Sequence, residues 1–585
     1  MTAPRRERAV LLGTSALLTA AICAPLWGGG LLLHRDAVAT PRAPLTAAAF
    51  GIDGAPPRAV PQDGALALAS QVVDGGVLLA ALTTAALFCA GVGYGRLARR
   101  LLPWTGSAGA VAAAGVAIWN PWVAERLLQG HWSLLIGYAA LGWITIAVLD
   151  LRRRPGWAGW AVLGGLFAAA GFTPTGSVSA LVVALTAALS FRRDPNSEPS
   201  SRLLPGVLAL WLFSALPWLV ATAFSDGAVS GVGGAREFAA RAEPGLGTFG
   251  SVLGLGGIWN ADAVPASRGF WWAAAATACL VAVVAGGVVV LRRHRGDLPP
   301  AVPALAVLAG VAVLSVAAAA VGPGPAVVDL LLTHVPGAGL LRDTQKFVAL
   351  AVPFVALAVA AAAGWLREWV PTGFVVAVLA LLIVAPLPDL AWGVGGELQP
   401  VEYPSDYAAA VALIGHDTGA VAVVPADTMR VYPWNRGPSL SPLPRMLDAP
   451  VIVGSTLLVD GEPIDAPTDR DRRVSAVLER GGDPGALAVL GVGWVVVERT
   501  TGASAAPRAL DANPRAERVH DGDDLVVYRI GDPVAVPGPG AGAWLATGTA
   551  HGLWLVLLLA GLVAQLARVT VRRTSANSSA VPGQE

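Results

Sequence analysis

The sequence predicts a polytopic α-helical membrane protein of about twelve spans, with an α/β domain outside the membrane near its C-terminus. Three observations predict it. Of 585 residues, 55% are hydrophobic and only 14% charged, against about 25% charged in soluble domains. The apolar residues gather into runs of the length that crosses a bilayer core of about 30 Å, roughly 20 helical residues each. One long segment, 388–542, breaks that pattern with short β-type runs between polar turns.

The mean hydropathy of +0.62 excludes extended disorder. A net charge of +1 with no basic run excludes a nucleic-acid partner. Cys23, Cys89 and Cys279 all lie in apolar runs, so neither a disulfide framework nor a thiolate metal site is expected. Arginine supplies the basic charge with one exception, Lys346. That bias, with abundant Ala, Gly and Val, fits a high-GC genome such as an actinobacterial one.

The expected spans are 9–30, 75–95, 106–119, 132–150, 156–172, 175–191, 203–224, 270–291, 301–321, 347–365, 370–387 and 543–567. The first follows Arg5, Arg6 and Arg8 and runs on through Leu31-Leu32-Leu33 without a small-residue cleavage site. It reads as an uncleaved helix rather than a signal peptide. Basic residues concentrate on the cytoplasmic side of spans. With the N-terminus inside, nineteen Arg fall in the inward segments and nine Arg or Lys in the outward membrane loops. Both termini are then cytoplasmic, in the cytoplasmic (inner) membrane. The division expected is a membrane domain 1–387 with outer loops 31–74, 225–269 and 322–346; an outer α/β domain 388–542; a last span 543–567; and a disordered tail 568–585.

Strands are expected at Val421–Val424, Val451–Val453, Val492–Val497 and Leu525–Tyr528, with helices around 405–415 and 471–480. Alternating strands and helices make a compact α/β unit.

Charged residues at span mouths are the candidate site. His34-Arg35-Asp36 follows the first span, and charge beside hydrocarbon usually faces a wet cavity. In Asn120 to Trp132, helical spacing puts Trp122, Glu125, Arg126 and Gln129 on one face, with Gly130-His131 before the next span. Solvation of Glu125 and Arg126 is the alternative reading of that face. In Leu341-Arg342-Asp343-Thr344-Gln345-Lys346, Arg342 and Lys346 stand four residues apart and project together if the helix starts early. Two outward cations at the bilayer edge oppose the usual charge bias and suit a lipid-linked phosphate. The Gly-rich loop 225–269 is a candidate lid. No Gly-rich phosphate loop, HExxH, paired CxxC or GxSxG occurs, which leaves cytoplasmic nucleotide chemistry without a site.

Taken together, these features resemble GT-C glycosyltransferases. The fragments His34-Arg35-Asp36 to Pro41-Arg42, Asn120-Pro121-Trp122 to Gly130-His131-Trp132, Gly256-Gly257-Ile258-Trp259-Asn260, Leu341-Arg342-Asp343 to Lys346, and Tyr432-Pro433-Trp434-Asn435 are similar to actinobacterial YfhO-type and arabinofuranosyltransferase-related members. So are Leu490-Gly491-Val492-Gly493 to Val497 and Asp524 to Tyr528. The resemblance implies a polyprenyl-phosphate sugar donor, inverting transfer to an envelope glycan or glycolipid, and a first-loop aspartate, Asp36, as general base. It implies a second acid, for which Glu125 is the nearest match; such acids help hold a metal where members have one, but this chain has no dense acidic cluster, so no cofactor is expected. Arg342, Lys346, His131 and Arg35 are the expected donor-phosphate contacts. Tyr432, Trp434 and Asn435 either stack on acceptor sugar or pack in the core. Asp36, Arg342 and Lys346 are expected to converge on one outward hollow. The alternatives are a glycolipid or polyprenyl-lipid flippase, and a non-catalytic scaffold of the same layout.

Overall fold

The computed structural model describes residues 3–55, 57, 59–190, 202–225, 234–335, 337–415, 419–454, 458–459, 462–463, 468–501 and 508–578. Arg58, Arg192 and Arg193, counted above for orientation, lie outside the described residues.

Every one of the twelve apolar runs is helical, but their lengths divide them. Among the described residues, eight helices are long and apolar enough to cross a membrane, or nine if the bent pair Thr372–Val384 and Pro388–Gly396 is one span. The other three are short: Gly106–Ile118, Trp157–Ala170 and Pro174–Leu189 have 13, 14 and 16 residues. The count of twelve assumed that each apolar run spans about 20 residues. The short helices escape that requirement by lying inside the bundle. Gly106–Ile118 is buried on nearly every residue, packed between Gly75–Leu101 and Val352–Leu366. A helix walled by protein need not match the hydrocarbon thickness. Trp157–Ala170 packs on the last helix, Ala541–Ser578. There Gly165 and Gly561 approach so closely that a Cβ on Gly165 would lie 2.7 Å from the Gly561 Cα, the small-residue contact by which membrane helices associate.

The last helix continues to Ser578, so the expected disordered tail begins as helix; 579–585 lie outside the described residues. Between the eleventh apolar run and this helix sits a five-stranded sheet. Its order is Val451–Val453, Ala420–Val424, Val492–Glu498, Leu525–Ile530, Ala516–Asp521. The first three strands are parallel and the last two join antiparallel. The strand Val492–Glu498 is buried on both faces, as expected for a β-branched run without alternation. One core lies on each face of the sheet, around Val474 and Leu487 on one side and Tyr407 and Leu443 on the other. The edge strand Ala516–Asp521 was missed because its residues, AERVHD, are mostly polar.

Sheet region and membrane bundle are joined by backbone pairing. Leu31 and Val401 exchange N–H···O bonds of 2.8 and 2.9 Å. The Arg35 N–H donates to the Pro438 carbonyl at 2.8 Å, and the Leu440 N–H donates to the Arg35 carbonyl at 3.1 Å.

Candidate functional site

Asp36 lies in the turn of a minimal hairpin, Leu33–His34 paired with Ala37–Val38. Arg35, beside it, has φ of +48°. A non-glycine side chain in the left-handed region is strained, and such residues cluster at functional sites. The two backbone bonds to residues 438 and 440 hold it there. Gly130 supports the turn from the other side. Its φ is +81°, and a Cβ would sit 2.4 Å from the Ala37 nitrogen and 2.9 Å from that of Asp36. Only glycine lets the Gln129–His131 segment come so near.

That approach brings His131 to Asp36. The His131 Nε2 lies 3.0 Å from Asp36 Oδ2, and Gln129 Nε2 donates to the same oxygen at 3.2 Å. The other ring nitrogen, Nδ1, faces Arg126 Nη1 at 3.2 Å. A guanidinium can only donate, so Nδ1 is the acceptor and Nε2 carries the proton toward Asp36. His131 is therefore neutral, with both nitrogens engaged. Burial lowers its pKa; the Asp36 hydrogen bond only partly offsets this, and Lys346 adds to the lowering. It orients the carboxylate and has no proton left for a phosphate, which revises its expected role.

Burial pushes the Asp36 carboxyl up, but His131, Gln129 and the Lys346 charge outweigh it and hold it below the usual aspartate value. The Asp36 carboxyl therefore stays ionised in mild acid. Replacing His131 by Leu removes a stabilising partner, so the Asp36 pKa rises and activity is lost at higher pH than in the wild type. The acid limb of kcat/KM against pH checks this; an unmoved limb would show that His131 does not set the carboxylate.

Arg126 is the hub behind this pair. It is fully buried and donates to Asp343 Oδ2 at 2.8 Å and to Gln345 Oε1. Gln345 Nε2 in turn donates to Glu125 Oε2 at 2.8 Å and to the Gly256 carbonyl at 3.1 Å. Glu125 Oε1 accepts from the Gly257 and Ile258 N–H groups at 2.9 and 3.3 Å. Burial and the nearby Glu243 carboxylate push the Glu125 pKa up to about 8. Glu125 has no exposed surface. It ties the Gly256–Ile258 loop to the helix Pro121–Leu128 rather than facing a substrate, so its expected catalytic role gives way to a positioning one. The same loop is fixed by Asn260, which donates to Gln129 at 2.8 Å, and by the buried Arg268–Glu243 pair.

Lys346 Nζ stands 3.8 Å from Asp343 Oδ2, and the charges of Arg126, Asp36 and Arg342 act on it as well. The expected α-helical start at Arg342 is not found. Residues Thr344–Ala351 form a 3₁₀ helix, whose three-residue period aligns Asp343 with Lys346. Arg342 precedes it, its guanidinium 4.3 Å from the Phe238 ring centre; Phe238 packs on Trp259. Arg35 points elsewhere: its Nη2 donates to the Asp262 carbonyl at 2.9 Å, and it is buried. It secures the 260–263 turn and is not placed to meet a phosphate.

Three side chains of this network remain reachable from outside. Asp36, Lys346 and His131 are 34%, 25% and 18% exposed, while Arg126 and Asp343 are sealed at 0% and 5%. Both contacts to Asp36 use Oδ2, which leaves Oδ1 without a hydrogen bond among the described residues. The site is thus a carboxylate and an ammonium on a buried ionic base. A separate cavity begins two residues along, at Val38.

Tyr432 is buried, its hydroxyl donating to Glu498 Oε1 at 2.9 Å. Its ring stacks on Trp434 and meets Tyr407 edge-on. These rings are core, packed against Leu33 and Val38 of the hairpin, and so support Asp36 instead of offering a sugar platform. Asn435 is spent locally on the Gly437 carbonyl at 2.9 Å. Among the described residues, no group of three or more His, Cys, Asp or Glu is arranged to hold a metal ion.

Compared with solved structures, this architecture has a counterpart in the cryo-EM structure of the arabinofuranosyltransferase AftD from Mycobacteria, with a TM-score of 0.58 over 90% of this chain at 18% identity. The chain shares the fold of the part of AftD that it covers. A second structure, of an AftD mutant, matches with a TM-score of 0.56 at 17% identity. The chain spans only 40% and 42% of the two AftD chains. No family model and no curated protein matches the sequence.

The sequence reading offered solvation for Arg126, which is fully buried, and gave no role to Asp343, Gln345 or the Arg268–Glu243 pair. The one available signal was the shared helical face of Trp122, Glu125, Arg126 and Gln129, whose polar members turn inward.

Proposed function

We propose that this protein is a membrane glycosyltransferase of cell-envelope assembly that takes its sugar from a polyprenyl-phosphate donor at the outer face of the cytoplasmic membrane. The observation that carries the reading is that Asp36 and Lys346, 310 positions apart in sequence, are joined through His131, Arg126 and Asp343 in one ionic network at the mouths of two apolar helices. In the proposed reaction, Asp36 Oδ1 accepts the acceptor hydroxyl proton as its oxygen attacks the anomeric carbon. The bond from that carbon to the phosphate oxygen breaks on the opposite side, which inverts the centre. Lys346, with Arg342 nearby, meets the negative charge that builds on the leaving phosphate.

Contacts across the chain support one shared outer face. Asp36 touches His131, yet Gly75–Leu101 is the one long helix between them. A return through Gly106–Ile118 restores both to one side. Leu31 pairs with Val401, and a crossing at Thr372–Val384 does the same for them. With Trp157–Ala170 and Pro174–Leu189 passing out and back, the candidate site and sheet share one side. The Arg-rich ends at 99–100, 152–154, 292–293 and 367 share the other, which the charge bias assigns to the cytoplasm.

Lys346→Gln tests the donor half of this reading. A charge-assisted contact is worth about 1.5–3 kcal/mol, so KM for a polyprenyl-phosphate sugar is expected to rise roughly ten- to hundredfold in proteoliposomes. A KM equal to that of the wild type would remove the phosphate from this site.

A further inference from the structure

The cavity that begins at Val38 has no part in the steps above. Its volume is about 270 Å³, room for one or two sugar rings and far short of a polyprenyl chain. One wall is the first outer loop, with Val38, Thr40 and Asp63; the other comes from the sheet region, with Thr428, Leu440 and Arg445. Asp63 and Arg445 pair across it at 2.9 Å, and both side chains are less than one-fifth exposed. Thr40 Oγ1 donates to the Arg445 carbonyl at 3.1 Å, a second tie between the walls. The buried Thr428 Oγ1 has no hydrogen-bond partner among the described residues.

The chemistry of these walls selects among ligand classes. An anion would meet a guanidinium already neutralised by Asp63. An acyl chain would lay hydrocarbon against an ion pair, at the cost of desolvating both charges. A neutral polyol suits both halves of the surface. Its C–H faces can lie on Val38, Ala39 and Leu440, and its hydroxyls can bond Asp63, Arg445 and Thr428, since a carboxylate or hydroxyl oxygen accepts more than one bond.

Position adds the second argument. Val38 is two residues from Asp36, at most about 7 Å along an extended chain. A glycan whose terminal hydroxyl lies at Asp36 would place its next one or two rings in this cavity. We infer that the cavity between the first outer loop and the sheet region is a glycan subsite, which holds the penultimate sugars of the acceptor. This inference rests on the proposed transferase reading for its role, but its test does not depend on turnover.

The test is binding of neutral arabinose- and mannose-series mono-, di- and trisaccharides to the full chain in nanodiscs, followed by calorimetry and saturation-transfer NMR. Ala48 lines the cavity and is exposed, so Ala48→Trp fills the space without disturbing a core; Thr428→Val removes one hydroxyl at constant shape. The expected result is that a di- or trisaccharide binds, that Ala48→Trp weakens it at least tenfold, and that Thr428→Val weakens it several-fold. The inference is overturned if none of the saccharides binds, if Ala48→Trp leaves their affinity intact, or if inorganic phosphate or a dodecyl chain is what Ala48→Trp displaces. Loss of the transferase reading would register differently, as transfer that survives Asp36→Asn.

Discussion

Arg126→Ala is expected to destabilise the protein by about 3–5 kcal/mol, the cost of leaving one member of a buried ion pair uncompensated. Arg126 has no exposed surface, and its two terminal nitrogens serve Asp343, Gln345 and His131. Without it, Asp343 is a nearly sealed carboxylate whose remaining cation, Lys346, is 3.8 Å away. Gln345 loses the partner of its carbonyl oxygen and with it the orientation that lets its amide reach Glu125 and Gly256. The damage would therefore pass to the Gly256–Ile258 loop. Arg126→Lys is not expected to rescue it, because one ammonium cannot reproduce a planar fork with three partners. Thermal unfolding of the purified protein in detergent measures both. Wild-type stability in Arg126→Ala would mean that the network is ornamental.

The sequence displays some of this physics openly and hides the rest. A chain solvated by lipid must declare its long helices as apolar runs, so these were visible, as were the β-branched strands of the sheet. Lengths were not, because a helix such as Gly106–Ile118 answers to its protein neighbours and not to the bilayer. Asp36, His131 and Lys346 stood out because charge at the mouth of an apolar helix is expensive and needs a reason. The partners that organise them did not. Arg126 and Asp343 meet across 217 positions, Gln345 and Glu125 across 220, and no local periodicity encodes such pairings. A helical face can be read from spacing, but whether it turns to water or inward depends on what folds over it. For Arg126 that cover comes from the segments around Gly256 and Asp343. For Tyr432 and Trp434 the structure decides between the two readings the sequence left open. Aromatic residues beside Asn and Pro resemble a sugar platform, yet here they stack on each other beneath the Asp36 hairpin.

Asp36 carries the largest functional expectation. Asp36→Asn keeps the shape of the side chain and an oxygen for His131 and Gln129 to bond, while it removes the capacity to take a proton. General-base catalysis is worth about 10²–10⁴-fold, so transfer should fall by that factor at saturating donor and acceptor. Donor KM should change little, since the phosphate is assigned to Lys346. The decisive measurement is single-turnover sugar transfer from a polyprenyl-phosphate donor in proteoliposomes, wild type against Asp36→Asn, with both substrates saturating. A rate lowered at least a hundredfold with the protein still folded is the predicted result, and a rate within a few-fold of the wild type contradicts the account.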